Sequence, residues 1–134
     1  MVMPKLTSKT AEFLGGKHFG KLGTLKRDGS PHVTPMWYML EDGRLFVNTT
    51  RSRVKYHNIR RDPRVSFPVD DGYPYVMIEG RARIAGERDG KKDIETLAIR
   101  YTGERAGRKA ARERYWKDPR VSIEIVPEKI IVSL

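Results

Sequence analysis

The stretch Gly23-Thr24-Leu25-Lys26-Arg27-Asp28-Gly29-Ser30-Pro31-His32-Val33-Thr34-Pro35-Met36-Trp37-Tyr38 decides how this chain folds. Residues suited to strands flank Asp28-Gly29, and Asp-Gly between such runs is a strong hairpin signal, because tight hairpin turns need positive φ angles that glycine adopts freely. The same punctuation returns at Glu41-Asp42-Gly43-Arg44, so His18 to Thr50 reads as a meander of three strands. On the second strand Val33, Pro35, Trp37 and Met39 fall on one face, and Thr34, Met36, Tyr38 and Leu40 on the other. Both faces are apolar or aromatic. Such a strand is expected to be covered twice, by a barrel interior on one side and by a subunit interface or a flat ligand on the other.

Outward from the meander, Ser52 to Arg61 reads as a helix with Ser52 at the N-cap and Asp62-Pro63 as its stop. Arg64 to Val69 and Tyr73 to Glu87 return to strand across an Asp70-Asp71-Gly72 turn. Asp89 to Tyr101 and Glu104 to Lys117 read as helices separated by Gly103, and Val121 to Leu134 ends the described pattern with Val121, Ile123 and Ile125 alternating. No linker interrupts the pattern, and 134 residues suit a single domain over 1–134. The expected fold class is mainly β: about six antiparallel strands in a β-barrel with a few helices, since closure removes sheet edges.

Composition narrows the functions. With 38% hydrophobic and 33% charged residues, 12 Gly and 8 Pro, the chain has the make-up of a soluble globular protein rich in turns. No segment approaches the roughly 20 apolar residues of a membrane-spanning helix. Lys5, Lys9 and Glu12 break the apolar run a secretory leader needs, so a cytoplasmic protein is expected. The absence of cysteine excludes thiol catalysis, disulfide exchange and Cys-based zinc sites, and leaves any redox chemistry to a cofactor. Lys and Arg number 27 against 17 Asp and Glu, a formal +10 that makes nucleic acid, an anionic membrane surface or a phosphorylated cofactor plausible partners.

The segment Thr49-Thr50-Arg51-Ser52-Arg53-Val54-Lys55 sharpens that choice. It sets three cations on and just before the first turn of a helix, where free N–H groups and the helix dipole are already positive. Each costs a few tenths to about 1 kcal/mol there unless an anion is present. Two hydroxyls, a helix N-terminus and Arg and Lys side chains together form a phosphate cradle without a glycine-rich loop. The same residues also fit a plainer description, as solvated surface cations on a basic protein.

Other motifs point nowhere definite. Gly15 to Lys21 matches the opening of a P-loop, but Leu22 stands where a magnesium-binding Ser or Thr is required, and no strand precedes it. His18, His32 and His57 are scattered without a metal-ligand spacing, so no metal site is expected. No serine lies in a strand-turn-helix nucleophile context, and no catalytic residue is assigned. Trp37, Tyr38, Tyr73, Tyr75, Tyr101, Tyr115 and Trp116 could stack on a planar ring or simply fill a core. Glu104 to Lys117 reads as a solvated helix with Glu104–Arg108 and Glu113–Lys117 pairs at i, i+4, and a nucleic-acid surface there would lack any recognition motif.

The opening stretch, the block Thr49-Thr50-Arg51-Ser52-Arg53-Val54-Lys55-Tyr56-His57-Asn58-Ile59-Arg60-Arg61-Asp62-Pro63-Arg64-Val65-Ser66, and Tyr75-Val76-Met77-Ile78-Glu79-Gly80-Arg81-Ala82 together resemble the pyridoxamine 5'-phosphate oxidase-like superfamily of split β-barrel flavoproteins. The likeness runs from about His18 to Glu87, with a weaker match in the C-terminal strand. Its most specific element, Arg53 to Arg64, is similar to the branch that includes enzymes using the deazaflavin F-420. The resemblance implies an F-420- or FMN-dependent oxidoreductase that transfers a hydride to or from a small organic molecule, the alternative being a cofactor carrier without its own catalysis. It implies that Arg53 and Lys55 hold the cofactor phosphate with Thr49 and Thr50. By the same likeness Thr34, Pro35, Met36 and Trp37 lay their backbone against the ring, and Asn58 supports the turn. It further implies a homodimer with sites at the subunit interface, where Tyr73 and Tyr75 reach the partner's cofactor. The C-terminal extension with which the pyridoxamine phosphate oxidases grip substrate is missing, so that specific reaction is not expected.

Overall fold

The computed structural model describes residues 4–134. Its elements are α1 (Ser8–Gly15), β1 (Gly20–Leu25), β2 (Pro31–Met36), β3 (Met39–Glu41), β4 (Arg44–Thr50), α2 (Val54–Arg61), β5 (Arg64–Asp70), β6 (Tyr75–Ile84), α3 (Gly90–Thr102), α4 (Glu104–Glu113), a short 3-10 turn (Tyr115–Lys117) and β7 (Arg120–Ser133). Seven strands, one more than the sequence pattern counts, form one antiparallel sheet in the order β2-β1-β5-β6-β7-β4-β3 that curls into a split β-barrel. The hairpin signals act as expected. Asp42 and Gly43 both take positive φ, 54° and 74°, which is the tight turn that joins β3 to β4.

The additional strand comes from a break that the residue pattern hides. Alternation along Val33 to Leu40 is continuous, yet pairing stops after Met36 and resumes at Met39. Side chains of α3 take the intervening peptide groups: Tyr38 N donates to Tyr101 Oη at 3.2 Å, and Arg100 Nε donates to the Tyr38 carbonyl at 3.0 Å. Arg100 also donates to the Gly16 carbonyl, and Tyr101 Oη to that of His18, so α3 fixes the chain just before β1 as well. Within one chain the barrel covers one face of β2, and the cover expected for the other, a subunit interface or a flat ligand, would come from outside the chain. Met36 and Tyr38 are buried in the barrel, whereas Val33 is 60% exposed and Pro35 is exposed.

Two apolar clusters result. Leu22, Tyr38, Val47, Phe67, Val69, Val76, Ile78, Val121, Ile123 and Ile125 fill the barrel, and Met39, Phe46, Ala85, Ile94, Leu97 and Tyr101 lie between the sheet and α3. Each such side chain removed from water contributes about 1.5–3 kcal/mol. Asp89 caps α3 by accepting from Lys91 N and Lys92 N. Gly103 separates α3 from α4 at a φ of 96°. The second helix is shorter than the sequence predicts: the Glu104–Arg108 pair forms at 3.1 Å, but α4 ends at Glu113 and Lys117 lies in the 3-10 turn. No helix among the described residues is long and apolar enough to cross a membrane.

Candidate functional site

The N-terminus of α2 is built differently from its sequence pattern. Arg53, not Ser52, holds the N-cap position, and no side chain caps the helix; Ser52 Oγ instead shares a 2.9 Å hydrogen bond with Thr50 Oγ1. The reason is the turn itself, closed by Arg53 N donating to the Thr50 carbonyl, which moves the helix start one residue on. The first-turn amides therefore have no side-chain acceptor, a setting that attracts anions.

Three cations gather around it. Lys55 Nζ lies 3.3 Å from Met36 Sδ, a thioether and therefore a poor acceptor for an ammonium. Burial, then Arg53 and Arg120, push the Lys55 ammonium below its ordinary range. Arg120 stands opposite Thr50 in the β4–β7 register and donates Nε to Asn48 Oδ1 at 2.9 Å. Its own proton affinity is lowered by burial and then by Arg53. Among the described residues, no carboxylate forms an ion pair with Arg53, Lys55 or Arg120. Elsewhere the same fold pairs its charges closely: Glu124 accepts from both Arg44 and Arg83.

A cleft of about 290 Å³ adjoins the cations, lined by Phe19, Pro35, Met36, Trp37, Asn48, Ile94, Leu97 and Tyr115. One end is an aromatic wall in which Tyr101 stacks between Phe19 and Trp37 at 5.4 and 5.3 Å, while Tyr115 meets Trp37 edge-on at 5.9 Å. Met36 and Asn48 belong to both regions, since one touches Lys55 and the other holds Arg120. An anionic group joined to a flat apolar one would match this pairing of cations and aromatics.

The pyridoxamine 5'-phosphate oxidase family model matches residues 6–133, nearly the whole chain. The chain belongs to that family. At 28% identity over 132 residues, 96% of this chain and 89% of the relative, it is similar to the F420H(2)-dependent biliverdin reductase of Mycobacterium tuberculosis strain CDC 1551 / Oshkosh. A conserved hypothetical protein from Mycobacterium tuberculosis superposes with a TM-score of 0.75 at 31% identity, over 96% of this chain and 84% of that one. A solved structure named F420 reductase gives a TM-score of 0.73 at 25% identity, over 94% and 98%.

Within this member of the pyridoxamine 5'-phosphate oxidase family, the residues singled out from sequence fall in five places. Thr34, Pro35, Met36 and Trp37 run along the end of β2, next to the cleft, and Arg53 and Lys55 flank the start of α2. Thr34 Oγ1 is buried without a hydrogen-bond partner. Alternation along β4 sends Thr49 to the face of Val47 and Thr50 to the face of Asn48, so the two hydroxyls diverge. Asn58 is buried on the far side of the helix, donating to Thr24 Oγ1 at 3.0 Å and accepting from Arg61. Tyr73 and Tyr75 lie at the β5–β6 hairpin, on a separate element, and Tyr73 is 96% exposed.

Asn48 and Arg120 escape sequence reasoning. Arg120 has one signal, visible only in retrospect: Asp118-Pro119-Arg120-Val121-Ser122 repeats Asp62-Pro63-Arg64-Val65-Ser66 letter for letter, at the start of another strand.

Proposed function

We propose that the protein is an F-420- or FMN-dependent oxidoreductase, a cytoplasmic homodimer acting on a small organic molecule. One observation carries the reading: cations without a counter-charge at an uncapped helix N-terminus open onto an aromatic-walled cleft. The residues present fit a phosphate-bearing tricyclic cofactor, because the cluster needs an anion and the buried Thr34 hydroxyl lacks a partner. When bound, F-420 or FMN supplies hydride transfer. Arg53, Lys55 and Thr50 would hold the phosphate, and the backbone from Thr34 to Trp37 would lie along the ring. Trp37 and Leu97 would keep water from the reacting face. No side chain is required as a nucleophile.

The relatives named for F420 support that cofactor over FMN, and so does the basic surface, which suits an acidic tail. The exposed outer face of β2 at Val33 and the exposed Tyr73 ring support a second subunit that completes the site. Fluorescence titration with F-420 and with FMN tests the reading; saturable binding at micromolar concentration or below is expected for at least one, and no saturation with either overturns it.

A further inference from the structure

We propose that Arg120 is a third anion-binding residue of this site, held in place by Asn48, and that the three cations together take a phosphoryl group. The inference deepens the cofactor reading and rests on the same pocket. Strand register brings these residues together. Thr50 and Arg120 face each other across β4 and β7, and opposite residues in an antiparallel pair share a face. The turn that follows Thr50 delivers Arg53 at once, so strand end, turn and neighbouring strand converge on one spot.

The guanidinium is held there by a specific clamp. Asn48, 6% exposed, accepts from Arg120 Nε with its oxygen and donates its amide nitrogen to the Gly90 carbonyl at 3.0 Å. Gly90 can come this near because it lacks a side chain: a Cβ there would collide with the Arg120 carbonyl. The clamp consumes Nε alone. The two terminal nitrogens have no hydrogen-bond partner among the described residues, and the guanidinium carbon lies 5.7 Å from the centre of the Tyr115 ring, at the rim of the cleft. A half-buried guanidinium presented with its fork free beside two other uncompensated cations is arranged to receive oxygens.

Arg120→Gln isolates this role. Glutamine places a side-chain nitrogen at the position of Arg Nε, so the hydrogen bond to Asn48 is kept while the charged fork is lost. Affinity for FMN, F-420 and inorganic pyrophosphate, measured by titration, should fall about tenfold to a hundredfold. The apo melting temperature should stay level or rise, and Arg64→Gln, the matching change in the twin pentapeptide, should alter neither. Asn48→Ala should lower affinity in the wild-type background and not in Arg120→Gln, a coupling that a merely structural asparagine would not show. If Arg120→Gln fails to fold, Arg120→Met carries the test: a loss of pyrophosphate affinity of the size expected for glutamine supports the proposal, and affinity equal to wild type overturns it. Unchanged affinity in Arg120→Gln overturns the role of Arg120 and leaves the cofactor reading intact. Arg120-dependent binding of pyrophosphate with no binding of either cofactor supports the anion site and overturns the cofactor reading. No binding of any of the three probes overturns both.

Discussion

The pentapeptide Asp-Pro-Arg-Val-Ser occurs at 62–66 and at 118–122, and the two copies use their arginines in opposite ways. Both follow a helical segment, both let Asp-Pro end it, and both begin a strand at the arginine. Both valines are buried in the barrel, at 6% and 7% exposure. Beyond that the copies part. Arg64 turns back onto Asp62 at 2.7 Å with a side chain 65% exposed, and Ser66 is exposed. Arg120 ignores Asp118 for Asn48, and Ser122 is buried, donating to Asp93 at 2.6 Å. The cause lies outside the pentapeptide: β7 runs beneath α3, whose Gly90 and Asp93 reach its outer face, and β5 has no such cover. An arginine's role here is set by what roofs it.

The largest test removes that roof's fastening. Arg88 bonds Asp93 at 2.7 Å, spans to Glu41, and lies 4.1 Å from the centre of the Phe46 ring. Arg88→Ala strands a buried carboxylate and should lower stability by about 3 kcal/mol in denaturant unfolding. A loss under about 1 kcal/mol would mean that apolar packing alone holds α3 over β7.

Next comes Lys55→Ala, which should weaken cofactor binding about tenfold to a hundredfold, the worth of a charge-assisted hydrogen bond. Its apo melting temperature should stay level or rise slightly, because a crowded cation leaves a helix N-terminus. A fall in stability with unchanged affinity would make Lys55 structural and put the anion elsewhere.

The smallest effect concerns the exposed copy. Hydrogen bonds from Arg64 hold the Asp62 carboxyl down at about 2. A depressed carboxyl stabilises above its unfolded value of about 3.9 and loses that contribution as pH falls through about 2. Asp62→Asn should therefore differ from wild type only slightly at neutral pH, and the difference should vanish on acidification and in high salt. A large difference at pH 7 would show that the two copies are less unlike than their surroundings.

The same contrast explains what the residue order discloses. Local chemistry is legible: the Asp42-Gly43 turn and the Gly103 break each depend on the conformational needs of one or two residues. The grouping of Arg53 with Lys55 is legible because one helical turn joins them. The break at Trp37-Tyr38 is not, since the groups that satisfy it come from Arg100 and Tyr101. Ser52 matches the cap pattern but loses the position to a turn hydrogen bond. Arg120 and Asn48 meet through strand register, which no window on the chain spans.

β7 is hydrogen-bonded along one edge to β6 and along the other to β4. It also follows the other six strands in chain order, and without it the sheet would fall into two groups, β2-β1-β5-β6 and β4-β3. Pairings between residues far apart form late and slowly. β7 is thus both the seam of the barrel and the bearer of Arg120, so the anion pocket is complete only when both edges of this strand are paired.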